Sequence, residues 1–317
     1  YNLHLREFSN SSENIVRKSL YIPDISIIDN GDISLIDRFK SLPLKNESKK
    51  FIFHSSYNTI TSNKHALQVC TIHDFVHERF YSGIRRTLHK YQKTKAINRA
   101  GHIIVISNNT KNDLLNMHPH IDPLKVSVIY NGASDDFFPL MQQAEPNTKP
   151  FILFIGSREH YKNFNFCIKL LREVKGFELK IIGSSLKKSE IEFLNKNIPN
   201  RWNIETNIPN SSLNKFYNEA FAVLYPSSYE GFGIPILEAM KAGTPFIALN
   251  KSSIPEVAGD AGILVDELDI EFFKAALNEI SVNRKAIIEK GFVQSKKFSW
   301  DSCFNQTVKV YNDLYNL

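Results

Sequence analysis

Several things are scarce in this sequence of 317 residues, and each scarcity removes a class of protein. Three cysteines, Cys70, Cys167 and Cys303, stand at wide and unrelated spacings, which gives neither a disulfide framework nor a metal knuckle. A reducing, cytoplasmic setting is the expectation that fits, with Cys70 and Cys167 as small core residues. No apolar run approaches the ~20 residues that a membrane-spanning helix needs. The opening YNLHLREFSN has neither a methionine nor the basic-then-apolar layout of a secretory signal, and further residues are expected before it. Internal repeats and low-complexity tracts are lacking. So are an Asp-x-Asp pair and a His/Cys cluster with ligand spacing, and no metal is expected.

What is present is ordinary for a globular chain: 42% hydrophobic and 23% charged residues, long enough for two domains. The net charge of +6 is unevenly placed, with 18 Lys/Arg against 13 Asp/Glu in residues 1–140. Arg79, Arg85, Arg86, Lys90, Lys93, Lys95 and Arg99 follow one another with no acidic residue among them. Two readings of this segment, 79–99, are open: a solvated helix face, or a surface for anionic lipid headgroups or a phosphorylated acceptor. Nucleic acid is not favoured, since no recognised binding motif accompanies the patch.

Along the chain, residues 1–50 are weakly patterned, with Ile25–Ile28 a candidate strand and Ile33–Phe39 a candidate short helix. From Phe51 onward short apolar runs alternate with helical patterns. Phe51–His54, Leu67–Ile72, His102–Ser107 and Val126–Tyr130 read as strands. Residues 79–100 read as a basic helix with Ile84, Leu88, Tyr91 and Ile97 on its apolar side, and Ser107–Thr110 as the cap of the next. The polar, proline-bracketed MQQAEPNTKP, residues 141–150, has linker composition. It divides an N-terminal domain, 1–140, from a C-terminal one, 151–317. In the second domain the strands Phe151–Ile155, Phe177–Ile182 and Trp202–Thr206 alternate with helices, Ser211 or Ser212 capping the third of these. A helical tail follows Glu271, and its last helix is expected to pack back on the first domain. The class is α/β, two doubly wound Rossmann-like domains facing each other across a cleft.

Tyr225–Leu249 concentrates the chemistry. An apolar strand stops at Pro226, and Glu230-Gly231-Phe232-Gly233 makes a loop in which glycines let backbone approach a ligand. Pro235 then suits the first helical turn and Gly243 the position just past the end. A Glu in a glycine turn or early in a helix is by itself ordinary, so Glu230 and Glu238 gain weight only from their setting. Upstream, Arg158 and Lys162 follow a strand end and Gly156-Ser157 at a helix start, a combination of backbone N–H groups, helix dipole and cations that suits phosphate.

The pattern Ser-x-x-Glu-Gly-Phe-Gly-x-Pro-x-x-Glu-Ala-Met-x-x-Gly-x-Pro, Ser227 to Pro245, closely resembles the signature of retaining glycosyltransferases of family 4, which have the GT-B architecture. Gly156-Ser157-Arg158-x-x-Tyr161-Lys162-Asn163 is similar to the family's donor-diphosphate motif. Thr71-Ile72-His73-Asp74, with Phe53-His54-Ser55-Ser56-Tyr57, resembles its N-domain pattern, and Asn131-Gly132 its close. Nothing before Phe51 resembles the strand and glycine loop with which the family usually begins, which leaves the acceptor side open.

The resemblance implies transfer of a hexose from a nucleotide-sugar donor to a glycan or polyprenyl-linked acceptor in bacterial polysaccharide synthesis. It implies no cofactor beyond the donor and no metal. Arg158 and Lys162 would stabilise the leaving diphosphate, helped by backbone at Gly231, Phe232, Gly233 and Ile234. Glu230 would hold the donor sugar, Glu238 the ribose hydroxyls, and His73 the sugar near its reactive carbon. Gly183 and the backbone near Ile208 would lie beside the base. The form Ser157-Arg158 with Tyr161-Lys162-Asn163 is most similar to mannosyltransferase-type members, so GDP-mannose is the first expected donor. With no confident nucleophile, front-face displacement is the expected route. A nucleotide-sugar epimerase of the same architecture and a non-catalytic glycan-binding or scaffold protein are the rival readings. The expected location is the cytoplasm or the inner face of the cytoplasmic membrane.

Overall fold

The computed structural model describes residues 5–7, 27–29, 41, 42, 44, 49–141 and 149–317. The candidate helix 33–39 and all but the ends of the expected linker lie outside them. In chain order the first half contains β1 Leu5–Glu7, β2 Ile27–Asp29, β3 Phe51–Ser55, β4 Ala66–Ile72, α1 Val76–Phe80, α2 Gly83–Arg99, β5 His102–Val105, α3 Asn108–Met117 and β6 Val126–Val128. The second half contains β7 Phe151–Ile155, α4 Phe164–Glu173, β8 Glu178–Ile182, α5 Lys188–Asn197, β9 Trp202–Glu205, α6 Asn210–Glu219, β10 Ala222–Tyr225, α7 Ile234–Ala242, β11 Phe246–Leu249, α8 Ile254–Ala258, β12 Ile263–Val265, α9 Ile270–Ser295 and α10 Trp300–Tyr315.

Strands β3-β4-β5-β6 form one four-stranded parallel sheet, while β1 and β2 pair separately, also in parallel. The second half builds a six-stranded parallel sheet in the order β12-β11-β10-β7-β8-β9. Parallel strands covered by helices on both faces read as unbroken apolar runs, and β10 (AVLY) and β11 (FIAL) are buried at every position. The α/β, two-sheet class expected from alternating strand and helix patterns is the one observed.

In the larger sheet the strand order reverses between β7 and β10, which pair directly through Ala222–Ile152 and Val223–Leu153. In open α/β sheets the crevice beyond such a reversal, at the strands' carboxyl ends, is where ligands bind. The loops leaving β7 and β10 are those that carry Gly156–Lys162 and Pro226–Gly233.

The last helix crosses to the first domain. Val310 of α10 shares a core with Val69 of β4, Ile104 of β5 and Ile129, and Lys50 Nζ donates to the Tyr315 carbonyl at 2.7 Å. At Gly132 a Cβ would lie 2.3 Å from the Trp300 N, so only glycine lets α10 begin where it does.

Two local expectations change. The basic helix is broken at Tyr81 and Ser82 into α1 and α2, and of its expected apolar side only Ile97 is buried: Ile84, Leu88 and Tyr91 are 79%, 42% and 59% exposed. The inward face carries Ala96, Ile97 and the buried Lys93, whose Nζ lies 2.9 Å from Glu78 Oε2 and 2.7 Å from the Asp74 carbonyl. Burial pushes the Glu78 carboxyl up, but His89 and Lys93 outweigh it and bring it down to about 2. A paired charge has taken a place that periodicity assigns to an apolar residue. In α6, Ser211 and Ser212 lie inside the first turn and Pro209 precedes the helix, so neither serine caps it.

Candidate active site

The two loops at the strand-order reversal are knitted together by backbone. Gly156 takes φ 120°, open to glycine, and a short 3-10 turn at His160–Lys162 ends on Asn163 at φ 53°. From that left-handed position the Asn163 amide donates to the Pro226 carbonyl and to Ser228 Oγ, both at 2.8 Å. The Ser228 N–H donates to the Tyr161 carbonyl, also at 2.8 Å. The cation-bearing loop and the glycine loop therefore form one surface.

Both predicted phosphate cations stand at that surface, each already engaged. Arg158 has a side chain only 5% exposed; its Nε donates to Glu190 Oε1 at 2.8 Å and its Nη2 to the Ser185 carbonyl at 2.8 Å. Lys162 Nζ is 2.7 Å from Glu230 Oε1 and 5.5 Å from the ring centroid of Tyr225. Tyr225 is buried at the end of β10 beside Glu230, and burial followed by the Glu230 charge raises its phenol well above the usual range. The Glu230 N–H donates to Ser252 Oγ at 2.9 Å, and Ser253 Oγ lies 2.9 Å from the Glu230 and Phe232 carbonyls.

Helix α7 starts under this loop. Gly233 takes φ 113° at its N-cap, Pro235 sits in the first turn and Gly243 ends it at φ 78°. Glu238 accepts from the Tyr217 hydroxyl at 2.7 Å. Glu238 stands at the middle of the helix, and burial raises its carboxyl to about 7 against the opposing pull of that bond. Gly183 lies against Gly156: a Cβ there would come within 2.6 Å of the Gly156 carbonyl oxygen. Ser157 is exposed, Ile208 and Ile234 are partly buried against the core, and the Phe232 side chain points away from the cleft. Its ring packs 6.0 Å from Tyr130 and 5.6 Å from Phe298, leaving only its backbone at the loop.

The first domain reaches the same place. His73 is exposed at the tip of β4 with Nε2 3.0 Å from the Ser56 carbonyl. A Cβ on Gly231 would lie 2.0 Å from the His73 carbonyl oxygen, so the glycine is what permits the two domains to meet there. His54, in the strand beside it, is held between Thr71 Oγ1 at 2.7 Å and the Tyr311 hydroxyl. Burial, and next to it the His73 charge, lowers the His54 imidazole to about 4, so it is a neutral packing residue. Glu256 of α8 crosses the cleft to accept from the N–H groups of Asn108 and Asn109 at 2.9 and 3.0 Å, adding a carboxylate to the cap that Ser107 makes on α3. Tyr229 donates to Asp113 at 2.7 Å and accepts from the Phe75 N–H at 3.0 Å.

Sequence reasoning missed Glu190, Tyr217, Tyr225 and Glu256. Glu190 alone leaves a local trace, a Glu three residues after the residue preceding a helix, the spacing of an N-terminal capping pair.

Both halves of the chain also resemble known proteins. The profile for glycosyl transferases group 1 matches residues 139–292, and that for glycosyltransferase family 4 matches residues 51–137. O-antigen chain mannosyltransferase B of Escherichia coli is 26% identical over 295 residues, 83% of this chain and 74% of that protein. O-antigen chain mannosyltransferase RfbU of Salmonella typhimurium is 26% identical over 223 residues, 67% of this chain and 60% of that protein. Among solved structures, sucrose-phosphate synthase from Thermosynechococcus elongatus superposes with a TM-score of 0.71 at 19% identity, covering 84% of this chain and 74% of that one. WaaG, a glycosyltransferase involved in lipopolysaccharide biosynthesis, does so at 0.62 and 16%, covering 79% and 78%. With each half of the chain matched by a profile of the same enzyme class, and with the two-sheet fold those structures share, the chain belongs to the glycosyltransferases of family 4.

Proposed function

We propose that the chain transfers a hexose, mannose first, from a nucleoside-diphosphate donor to a glycan or polyprenyl-linked acceptor of a bacterial surface polysaccharide, with retention and without a metal. The observation that carries this reading is the convergence of Arg158, the Lys162–Glu230 pair and the α7 N-terminus on the loops at the β7/β10 reversal. Mannose as the sugar is supported by the two relatives named as mannosyltransferases. In the reaction the bond between the anomeric carbon and the diphosphate oxygen breaks, and its electron pair leaves with the diphosphate. The acceptor hydroxyl forms the new bond on the same face and gives its proton to that departing oxygen. Arg158 and Lys162 neutralise the charge that develops there, the part a metal plays elsewhere. Glu230 holds the sugar hydroxyls, Glu238 the ribose and His73 the sugar from the opposite domain.

Glu230→Gln keeps the loop's backbone bonds to Ser252 and Ser253, so transfer falls about 10²–10³-fold with a nearly unchanged melting temperature. Full transfer by that variant would overturn the assignment. Incubation with donor alone separates the epimerase reading, because only an epimerase then makes a new nucleotide sugar. Donor binding without turnover on any acceptor would favour the scaffold.

The outward stripe of α2, Ile84, Leu88 and Tyr91 beside Arg86, Lys90 and Lys95, supports a peripheral seat on the anionic inner face of the cytoplasmic membrane. No helix among the described residues is long and apolar enough to cross a membrane. Vesicle binding is expected to rise with anionic lipid and to fall with salt and in a Leu88→Ser/Lys90→Glu variant. Binding that is indifferent to all three would leave α2 a solvated face.

A further inference from the structure

Three of the Arg158 nitrogens can be accounted for one by one. Nε is taken by Glu190 Oε1 at 2.8 Å, and Nη2 by the Ser185 carbonyl at 2.8 Å with Ser184 Oγ at 3.5 Å. Nη1 is buried and has no hydrogen-bond partner among the described residues. A buried donor left unpaired costs stability, and such groups persist where they have a task. The space beside it is kept by a glycine: a Cβ on Gly183 would sit 3.3 Å from Nη1. Glu190 is itself fixed, since its second oxygen accepts the Lys187 N–H at 2.7 Å at the start of α5. Burial pushes its carboxyl up, but the bonds from Arg158 and the Lys187 N–H outweigh this and hold it below the usual range, so it stays an anion.

We infer that Glu190 is a positioning residue. It clamps the guanidinium through Nε so that Nη1 is aimed, before any ligand arrives, at the diphosphate of the donor. A free arginine would lose its rotamer freedom on binding, and the Glu190 clamp removes that loss in advance. The inference rests on the donor site proposed above and adds the group that presets its guanidinium.

The test is calorimetric titration of the full chain with GDP, UDP and ADP, and then with the matching nucleoside of whichever binds most tightly. Glu190→Ala is expected to weaken the diphosphate about 10–100-fold while nucleoside affinity stays within about twofold. Glu190→Gln keeps a single acceptor oxygen, enough for Arg158 Nε or for the Lys187 N–H but not both, and restores part of the loss. Glu190→Asp keeps the charge but shortens the reach, gives a partial loss in the same direction, and decides the matter where the alanine variant does not fold. Equal weakening of diphosphate and nucleoside, or wild-type diphosphate affinity in the alanine and aspartate variants, overturns the inference. A wild-type chain that binds diphosphate no better than nucleoside overturns it too, and locates the failure in the donor site rather than in Glu190.

Discussion

Arg158 and Lys162 follow the same strand, and in the proposed reaction both face the leaving diphosphate, but they are held in opposite ways. Arg158 is held by a carboxylate that has no part in holding the sugar, with its side chain almost sealed from solvent. Lys162 is held by Glu230, the residue proposed to hold the sugar, and both side chains keep 13% exposure. On the proposed reading one cation is preset and keeps its partner, and the other would exchange a carboxylate for a phosphate as the donor enters. A site can thus divide its electrostatic work between a rigid cation that gives affinity and a mobile one free to follow the charge from ground state to transition state.

The variants that break this contrast most strongly remove a cation. Lys162→Ala is expected to lower kcat by about 10²–10³-fold, read in steady-state transfer at saturating donor. Arg158→Lys tests the other half: an ammonium cannot bond Glu190, Ser185 and a phosphate in three fixed directions, so diphosphate affinity falls by about 10–100-fold in titration. If the two substitutions gave the same split between KM and kcat, the contrast would be wrong. A smaller effect comes from Glu238, with its carboxyl raised to about 7 by burial. In the proposed site ribose hydroxyls donate to the ionised form, so donor affinity is expected to climb by about tenfold per pH unit below pH 7 and to level off above it. Glu238→Gln removes that slope. Stability runs the other way: the neutral carboxyl suits the fold, so its contribution is complete below the unfolded value of 4.5 and is lost as pH rises through about 7. The smallest change is Asn163→Ala, which puts at φ 53° a residue that tolerates the left-handed region less well than asparagine and removes two bonds to the neighbouring loop. Its cost is about 1–3 kcal/mol in chemical denaturation.

How much of this could be read from residues alone follows from how local each feature is. Strand, glycine turn, Pro235 and Gly243 lie within one short stretch, and the helix they delimit is the one observed. Arg158, Lys162, Glu230 and Glu238 sit in the motif stretches themselves, so the sequence names them. Their partners are brought by topology: Glu190 is 32 positions from Arg158, and Lys162 is 68 from Glu230. Glu256 meets Asn108 across 148 positions. The misread face of α2 has the same origin, since periodicity counts Lys93 as polar and cannot see that Glu78 neutralises it inside the core. Phe232 belongs here as well: within the motif it stands among ligand residues, whereas in space its ring packs with Tyr130 and Phe298.

The measurement that bears most directly on the account is calorimetric titration of GDP-mannose, with UDP- and ADP-hexoses in parallel, into the wild-type chain and into Lys162→Ala and Glu190→Ala. One nucleotide sugar is expected to bind the wild type at a single site and to be weakened in both variants, with only Glu190→Ala matching its loss for the bare diphosphate. No binding of any nucleotide sugar by the wild type, or equal binding by all three proteins, would contradict a donor site at the β7/β10 reversal.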